Sequence, residues 1–144
     1  MKILCSVHCT HREQSSLTAT DDRDVNAEID ITFAALTTDA DGRVTSAVCD
    51  TVEPALTVAS DGGVTAPESV LSKREQGDNY GMRQASALGK EWYEHSEGFC
   101  DYIKGKTAMQ IRGIPDDGTN ADLAALCTIS ISDLQKAVLN ALES

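Results

Sequence analysis

Cysteine and histidine residues are concentrated near the start of the chain, in the run Cys5-x-x-His8-Cys9-x-His11. Thiolate and imidazole groups are common zinc ligands, so the spacing suggests a metal site. On a β-strand, however, Cys5 and Cys9 share one face while His8 points to the other, which is poor geometry for one tetrahedral ion. We therefore predict that this cluster binds no metal.

His95 is a candidate for a catalytic role, because histidine is a common acid or base. It lies between Trp92 and Phe99 on the apolar stripe of a predicted helix. No carboxylate or nucleophile occurs at a sequence spacing that would place it beside His95. We therefore interpret His95 as a hydrogen-bonded packing residue. Cys100 and Cys127 are interpreted as small buried side chains. The chain has no Gly-rich phosphate loop, no nucleophile elbow and no His-Glu-x-x-His helix. No residue is assigned as catalytic, and the pattern favours a non-enzymatic protein.

The acidic composition restricts the classes of partner. The 144 residues include 23 Asp and Glu but only 12 Lys and Arg, which gives a formal net charge of −11. This charge repels nucleic-acid phosphates and anionic lipid surfaces, so we expect no nucleic-acid binding and no membrane insertion. The odd number of cysteines argues against a disulfide scaffold, and the first residues lack an apolar run of signal-peptide length.

Alternation of apolar and polar residues predicts an antiparallel sheet in the first half of the chain. Residues 1–24 are interpreted as a first strand, over residues 2–10, and a polar loop. In the next strand Ile29, Ile31 and Phe33 share one face, which we expect to be buried against the last helix. Hairpin turns are predicted at Asp41-Gly42 and Asp61-Gly62-Gly63.

The second half changes to helical periodicity. Apolar side chains recur every three or four residues between 86 and 104 and again between 132 and 142. Thr107 with Gln110, and Ser132 with Gln135, are typical of capping boxes at helix starts. The sequence thus predicts an α+β fold, in which residues 1–144 form a single domain with an antiparallel sheet from the N-terminal half packed by C-terminal helices.

Two segments resemble the FMN-binding domain family, which includes flavin-carrying subunits of sodium-pumping quinone reductases and Rnf-type electron-transport complexes. The segment 27–33, followed by Asp41-Gly42-Arg43-Val44-Thr45, is similar to that family's strand, turn and return strand. The segment Asp122-Leu-Ala-Ala-Leu-Cys-Thr128-Ile-Ser130 is similar to the family's Asp-x-x-Ser-Gly-Ala-Thr-x-Ser/Thr motif. In the family, that threonine carries FMN through a phosphoester bond.

The central part of the chain is similar to uncharacterised FMN-binding-like proteins of anaerobic Gram-positive bacteria. The similarity includes Gly77-Asp-Asn-Tyr-Gly-Met82 and Gly89-Lys-Glu-Trp-Tyr-Glu94. Proteins of this group are often exported or lipid-anchored, whereas this sequence shows no signal peptide, so the resemblance leaves the localisation open.

The resemblance implies a flavin-binding domain with an electron-transfer role and FMN as its cofactor. Thr128 would hold or contact the flavin phosphate beside the N-terminus of the last helix, with Asp122 and Ser130 supporting the segment. Trp92 and Tyr93 would flank the flavin ring. The alternative is a non-enzymatic binding or interaction domain that has kept the fold and lost the flavin.

The chain departs from the family motif at Leu126, which stands where the family has glycine. A leucine adds bulk where a glycine lets the backbone approach a phosphate. The net charge of −11 also opposes a further anion. We therefore expect no covalent flavin on the chain when it is produced alone, while reversible FMN binding is compatible with the motif.

Overall fold

Five antiparallel strands precede five α-helices in the part of the chain that the computed structural model describes, residues 2–12 and 24–144. The strands are β1 (Lys2–Arg12), β2 (Val25–Thr38), β3 (Val44–Val52), β4 (Ala55–Val58) and β5 (Val64–Thr65). The helices are α1 (Lys73–Gln76), α2 (Trp92–Tyr102), α3 (Ala108–Arg112), α4 (Ala121–Ala124) and α5 (Ser132–Leu142), with a 3-10 turn at Gly77–Tyr80. This order confirms the α+β fold with its N-terminal sheet and C-terminal helices.

Strand β2 is the centre of the sheet. Strand β1 pairs with it along one side, from Lys2 opposite Thr38 to Arg12 opposite Glu28. Strands β3 and β4 pair with opposite ends of its other side, and β5 extends the sheet beyond β4. The predicted first strand therefore exists and continues to Arg12. The rest of the predicted polar loop, residues 13–23, lies outside the described residues.

Both predicted hairpin turns are confirmed. Gly42, between β2 and β3, adopts a φ of +74°, and Gly62, between β4 and β5, adopts a φ of +87°. These angles lie in the left-handed region, which side chains with a Cβ disfavour. At the first turn the Asp39 carboxylate also accepts the N–H groups of Asp41 and Arg43, both at 2.9 Å.

The sheet buries the face opposite to the one we expected. In β2 the buried side chains are those of Asp30, Thr32, Ala34, Leu36 and Thr38. Phe33 is 38% exposed on the other face, and Ile29 and Ile31 are only half-buried, so the predicted burial of this row was wrong. The polar row tolerates burial because the hydroxyls of Thr32 and Thr51 lie 2.8 Å apart and hydrogen-bond each other.

Helices α2 and α5 cover the buried face of the sheet. Helix α5 contacts β1 and β2, and α2 contacts β3. The fully buried apolar side chains of this core come mainly from the second half of the chain, and the largest are Phe99, Ile103, Ile111 and Ile131. The apolar stripes predicted for α2 and α5 therefore do form the core.

Helix α2 begins at Trp92, six residues later than the apolar pattern suggested. Glu91 provides the reason, because its buried carboxylate accepts the N–H groups of Met82 and Arg83 at 2.8 and 3.0 Å. The carboxylate holds the preceding segment in turns rather than in helix. Leu88, which falls within the predicted helical segment between residues 86 and 104, is 37% exposed in these turns.

One predicted capping box is confirmed and the other was wrong. The side chains of Thr107 and Gln110 bond each other's backbone N–H groups at the start of α3. At α5, by contrast, Ile131 is the capping residue and its side chain makes no capping bond. Gln135 instead donates its amide to the carbonyls of Ile111 and Ile114, at 2.7 and 3.0 Å.

Candidate functional site

A cavity of about 450 Å³ lies between the loop after α3, helix α4 and the segment that leads into α5. Thr128 and Ser130 both line it, and both are exposed. Asp122 is exposed in the first turn of α4 and is not among the residues that line the cavity. The structure therefore brings together two of the three residues expected to hold a flavin.

The backbone of Thr128 is held by His95. The Thr128 N–H donates to Nδ1 of His95 at 3.2 Å, and the opposite ring nitrogen, Nε2, lies 2.8 Å from the hydroxyl of Ser86. Because Nδ1 accepts a hydrogen bond, the ring proton must lie on Nε2, which then donates to Ser86. His95 is fully buried, so the interpretation of His95 as a hydrogen-bonded packing residue is confirmed.

Protonation of His95 should weaken this attachment. Burial, and to a lesser degree the nearby Lys90, lower the pKa of His95 below its ordinary value near 6.5, against a smaller opposite effect of Glu94. A lowered pKa means that the folded state binds the proton less readily than the unfolded chain. The stability from neutral His95 is therefore complete above about pH 6.5 and is lost as the pH falls below it.

We expect the free energy of unfolding to fall between pH 7 and pH 5, by at most about 1.4 kcal/mol per pH unit for one proton. The measurement is urea unfolding across this range, for the wild type and for His95→Gln, which cannot titrate. The variant should show a smaller pH dependence than the wild type. An identical pH dependence in the two proteins would show that His95 is not the titrating group.

The N-terminus of α5 already has an anionic partner, Asp116. Its carboxylate accepts the hydroxyl of Ser130 at 2.6 Å and the N–H groups of Ile131 and Ser132 at 2.6 and 3.1 Å. These are backbone groups of the kind that we expected to face a flavin phosphate. Any phosphate beside Thr128 would instead meet the Asp116 carboxylate across the cavity.

Helix α2 and the segment before Thr128 are in very close contact. A Cβ added at Gly98 would come within 2.9 Å of the carbonyl carbon of Leu126, and closer still to its oxygen. The ammonium of Lys90 donates to the same carbonyl at 2.9 Å. The close packing at Gly98 and the hydrogen bonds made by Lys90 and His95 therefore fix this segment against α2 and the turn before it. The side chain of Leu126 itself is 36% exposed and is not among the residues lining the cavity.

A second cavity, of about 260 Å³, lies on the other side of Ser130, between the buried sheet face and α5. Trp92 lines it together with Lys73, whose ammonium lies 5.3 Å from the centre of the Trp92 ring and 2.8 Å from a carboxylate oxygen of Glu53. Trp92 is therefore in the second cavity and is not among the residues that line the cavity beside Thr128. Tyr93 hydrogen-bonds Asp78 at 3.3 Å and is not among the residues that line either cavity.

Lys73 and Asp116 are candidate site residues that the sequence did not indicate. Lys73 is 8% exposed and packs between two aromatic rings, although lysine is rarely buried. Asp116 lies in an Asp/Gly-rich loop, where carboxylates are common turn residues. Neither has a local sequence signal, because Glu53, which pairs with Lys73, and the groups at the start of α5 that bond Asp116 are distant along the chain.

The described side chains of the terminal Cys/His cluster are divided between the two faces of β1. Cys5 and Cys9 are exposed on the outer face, whereas Nε2 of His8 lies 3.7 Å from Asp133 beneath the sheet. Among the side chains that the structure describes, no three His, Cys, Asp or Glu are close enough to hold a metal ion. The absence of bound metal in the purified protein stays a prediction.

Within residues 2–12 and 24–144, no helix has the length and apolarity needed to cross a bilayer.

Comparison with known proteins gives one distant similarity. The chain is 29% identical to a chlorophenol reductase of Desulfitobacterium hafniense over an alignment of 83 residues, which covers 46% of this chain and 25% of the reductase. The chain therefore spans about a quarter of the length of this relative. No protein-family model matches the chain, and no solved structure matches it.

Proposed function

We propose that the chain is a flavin-binding domain, with FMN held reversibly in the 450 Å³ cavity beside Thr128. The observation that carries the proposal is the position of Thr128, which is exposed on the cavity wall while its backbone is fixed by buried His95. FMN, when bound, would supply one- or two-electron transfer, and the protein would supply position and electrostatics.

The volume of the cavity and a nearby ammonium group favour a ligand of this kind. A volume of about 450 Å³ falls within the range of small-molecule sites, roughly 300–1,000 Å³. Lys90 places an ammonium group against the Leu126 carbonyl, two residues before Thr128. The resemblance at Thr128 and Ser130, and the reductase name of the distant relative, point in the same direction.

The carboxylates favour reversible binding over covalent attachment. Asp116 and Asp117 line the same cavity, and hydrogen bonds from Thr119 lower the pKa of Asp117, which keeps it ionised. These two negative charges weaken the attraction of a phosphate to the Thr128 hydroxyl, so we propose a hydrogen-bonded contact there and no phosphoester bond. Of the residues expected to bind the cofactor, Thr128 would contact the phosphate and Ser130 would remain bonded to Asp116, while Asp122 would stay outside the cavity.

The test is titration of the purified protein with FMN, followed by quenching of flavin fluorescence. We expect the wild type to quench the flavin and Thr128→Ala to bind at least about tenfold more weakly, since a hydrogen bond to a charged group contributes about 1.5–3 kcal/mol. Thr65→Ala is the matched control, because Thr65 is exposed on β5, and it should bind as the wild type does. Equal affinities of wild type and Thr128→Ala would place any flavin elsewhere.

Intact-mass measurement after co-expression with a flavin transferase tests the form of attachment. We expect an unmodified mass. A gain of one FMN that Thr128→Ala abolishes would contradict reversible binding and establish Thr128 as an attachment residue. An unmodified mass together with no quenching of added FMN would end the flavin proposal.

A second candidate function is that of a non-enzymatic interaction domain, and the outer face of the sheet favours it. Apolar side chains are exposed there on three neighbouring strands, including Ile3 at 70%, Val7 at 59%, Phe33 at 38% and Val48 at 45%. Exposed apolar side chains that adjoin one another are typical of protein-binding surfaces. This function does not exclude flavin binding, because the cavity lies on the opposite side of the sheet.

A further inference from the structure

Strand β1 is an edge strand whose outer side is unpaired in the described part of the chain. It pairs with β2 over eleven residues, and within residues 2–12 and 24–144 no backbone hydrogen bond joins its other side to another segment. It contains no proline, and its register with β2 shows no bulge. A long, regular and unpaired edge presents N–H and C=O groups to any strand that can approach it.

The outward-facing row of β1 carries no charged side chain from Ile3 to Cys9. Ile3, Cys5, Val7 and Cys9 alternate along it and all are exposed. On β2 this row continues with Phe33 and Ala35, which lie opposite Val7 and Cys5. Two copies of a chain with a net charge of −11 repel each other, and the repulsion is weakest where they meet through an uncharged surface.

We propose that β1 pairs antiparallel with β1 of a second copy, so that two sheets join into one continuous sheet. Such a pair is related by a two-fold axis, which gives both copies the same hydrogen bonds. Because opposite residues of an antiparallel pair share a face, the outward rows of the two copies meet each other. The uncharged row then becomes continuous across the dimer.

The length of the strand defines the register. Full overlap of Lys2–Arg12 with its copy places the two-fold axis at Val7, since Val7 is the middle residue of the eleven. This register puts Cys5 directly opposite the partner's Cys9, on the outer face, at two symmetric positions. Cβ atoms of directly opposite residues lie about 4.5–5.5 Å apart, so a short thiol cross-linker can join them. The other cysteines, Cys49, Cys100 and Cys127, are buried.

The first experiment is analytical ultracentrifugation of the full chain with a reductant present. We expect the wild type to sediment with twice the monomer mass of 15.4 kDa. Val7→Lys should sediment as a monomer, because it places two ammonium groups together on the two-fold axis. Val64→Lys, at a strand residue that is 65% exposed on β5, is the matched control and should remain dimeric. A monomeric wild type, or a dimer that survives Val7→Lys, would overturn the proposal.

The second experiment tests the register and does not depend on the folding of Val7→Lys. After removal of the reductant, a short bis-maleimide should join two wild-type chains covalently. Neither Cys5→Ser nor Cys9→Ser should cross-link alone, whereas an equal mixture of the two should, because only the mixed dimer retains one Cys5–Cys9 pair. Cross-linking by either single variant alone, or none by the mixture, would contradict pairing centred on Val7.

Discussion

Replacing Phe99 with alanine is expected to lower the free energy of unfolding by about 3–5 kcal/mol, the usual cost of removing a buried aromatic ring. Phe99 is fully buried on α2, beneath the sheet. The measurement is urea unfolding at neutral pH, where His95 is uncharged. The expected loss has two parts: the free energy gained when the ring is transferred out of water, and the cost of the cavity that its removal leaves.

Phe33→Ala is the matched control, because Phe33 is the other phenylalanine of the chain. It is 38% exposed on the outer face of the sheet, so the expected loss is less than about 1 kcal/mol. Together the two variants test which face of the sheet is buried. A larger loss for Phe33→Ala than for Phe99→Ala would mean that the helices cover the other face.

Gly98→Ala is expected to destabilise the protein by about 1–3 kcal/mol, the range found for overpacked cores. The new methyl group would meet the Leu126 carbonyl carbon at 2.9 Å, and backbone atoms have little freedom to move away. This steric clash can be relieved only if the segment that ends in Thr128 shifts. We therefore expect Gly98→Ala also to weaken the binding of FMN, measured by fluorescence quenching at temperatures where the variant remains folded.

Gly113→Ala is the control for this substitution. Gly113 has a φ of −80°, and a Cβ there would lie 3.6 Å from its nearest neighbour, the Gln110 carbonyl oxygen. An alanine fits at this distance, so stability and FMN affinity should change little. If Gly98→Ala and Gly113→Ala behaved alike, the contact between α2 and Leu126 would not constrain the site.

The hairpin turns and the apolar stripes of the helices could be predicted because each depends on residues close together in sequence. The buried face of β2 could not be predicted in the same way. Period-two alternation shows that the strand has two different faces, and Ile29, Ile31 and Phe33 form the more apolar one. The structure buries the other face, where the polar Thr32 is accommodated by a hydrogen bond to Thr51, nineteen residues away.

The candidate site shows the same division between local and distant information. Thr128 and Ser130 could be selected from a motif, and both line the cavity. The hydrogen bonds that position them could not be predicted, because His95 lies 33 residues before Thr128 and Asp116 lies 14 residues before Ser130. A capping pattern such as Ser132 with Gln135 can also be mistaken for a cap when a distant carboxylate occupies the helix N-terminus.

The most direct test of the flavin site is an NMR titration of the isotope-labelled protein with FMN, in which the backbone amide signals of the whole chain are followed. We expect the signals of Gly118, Thr128 and Ile129 to shift in proportion to bound flavin, because these residues line the cavity. The signals of Gly42 and Gly62, in hairpin turns whose residues are not among those lining this cavity, should remain unchanged. Unchanged signals for Thr128 and its neighbours at saturating FMN would contradict a flavin site in this cavity.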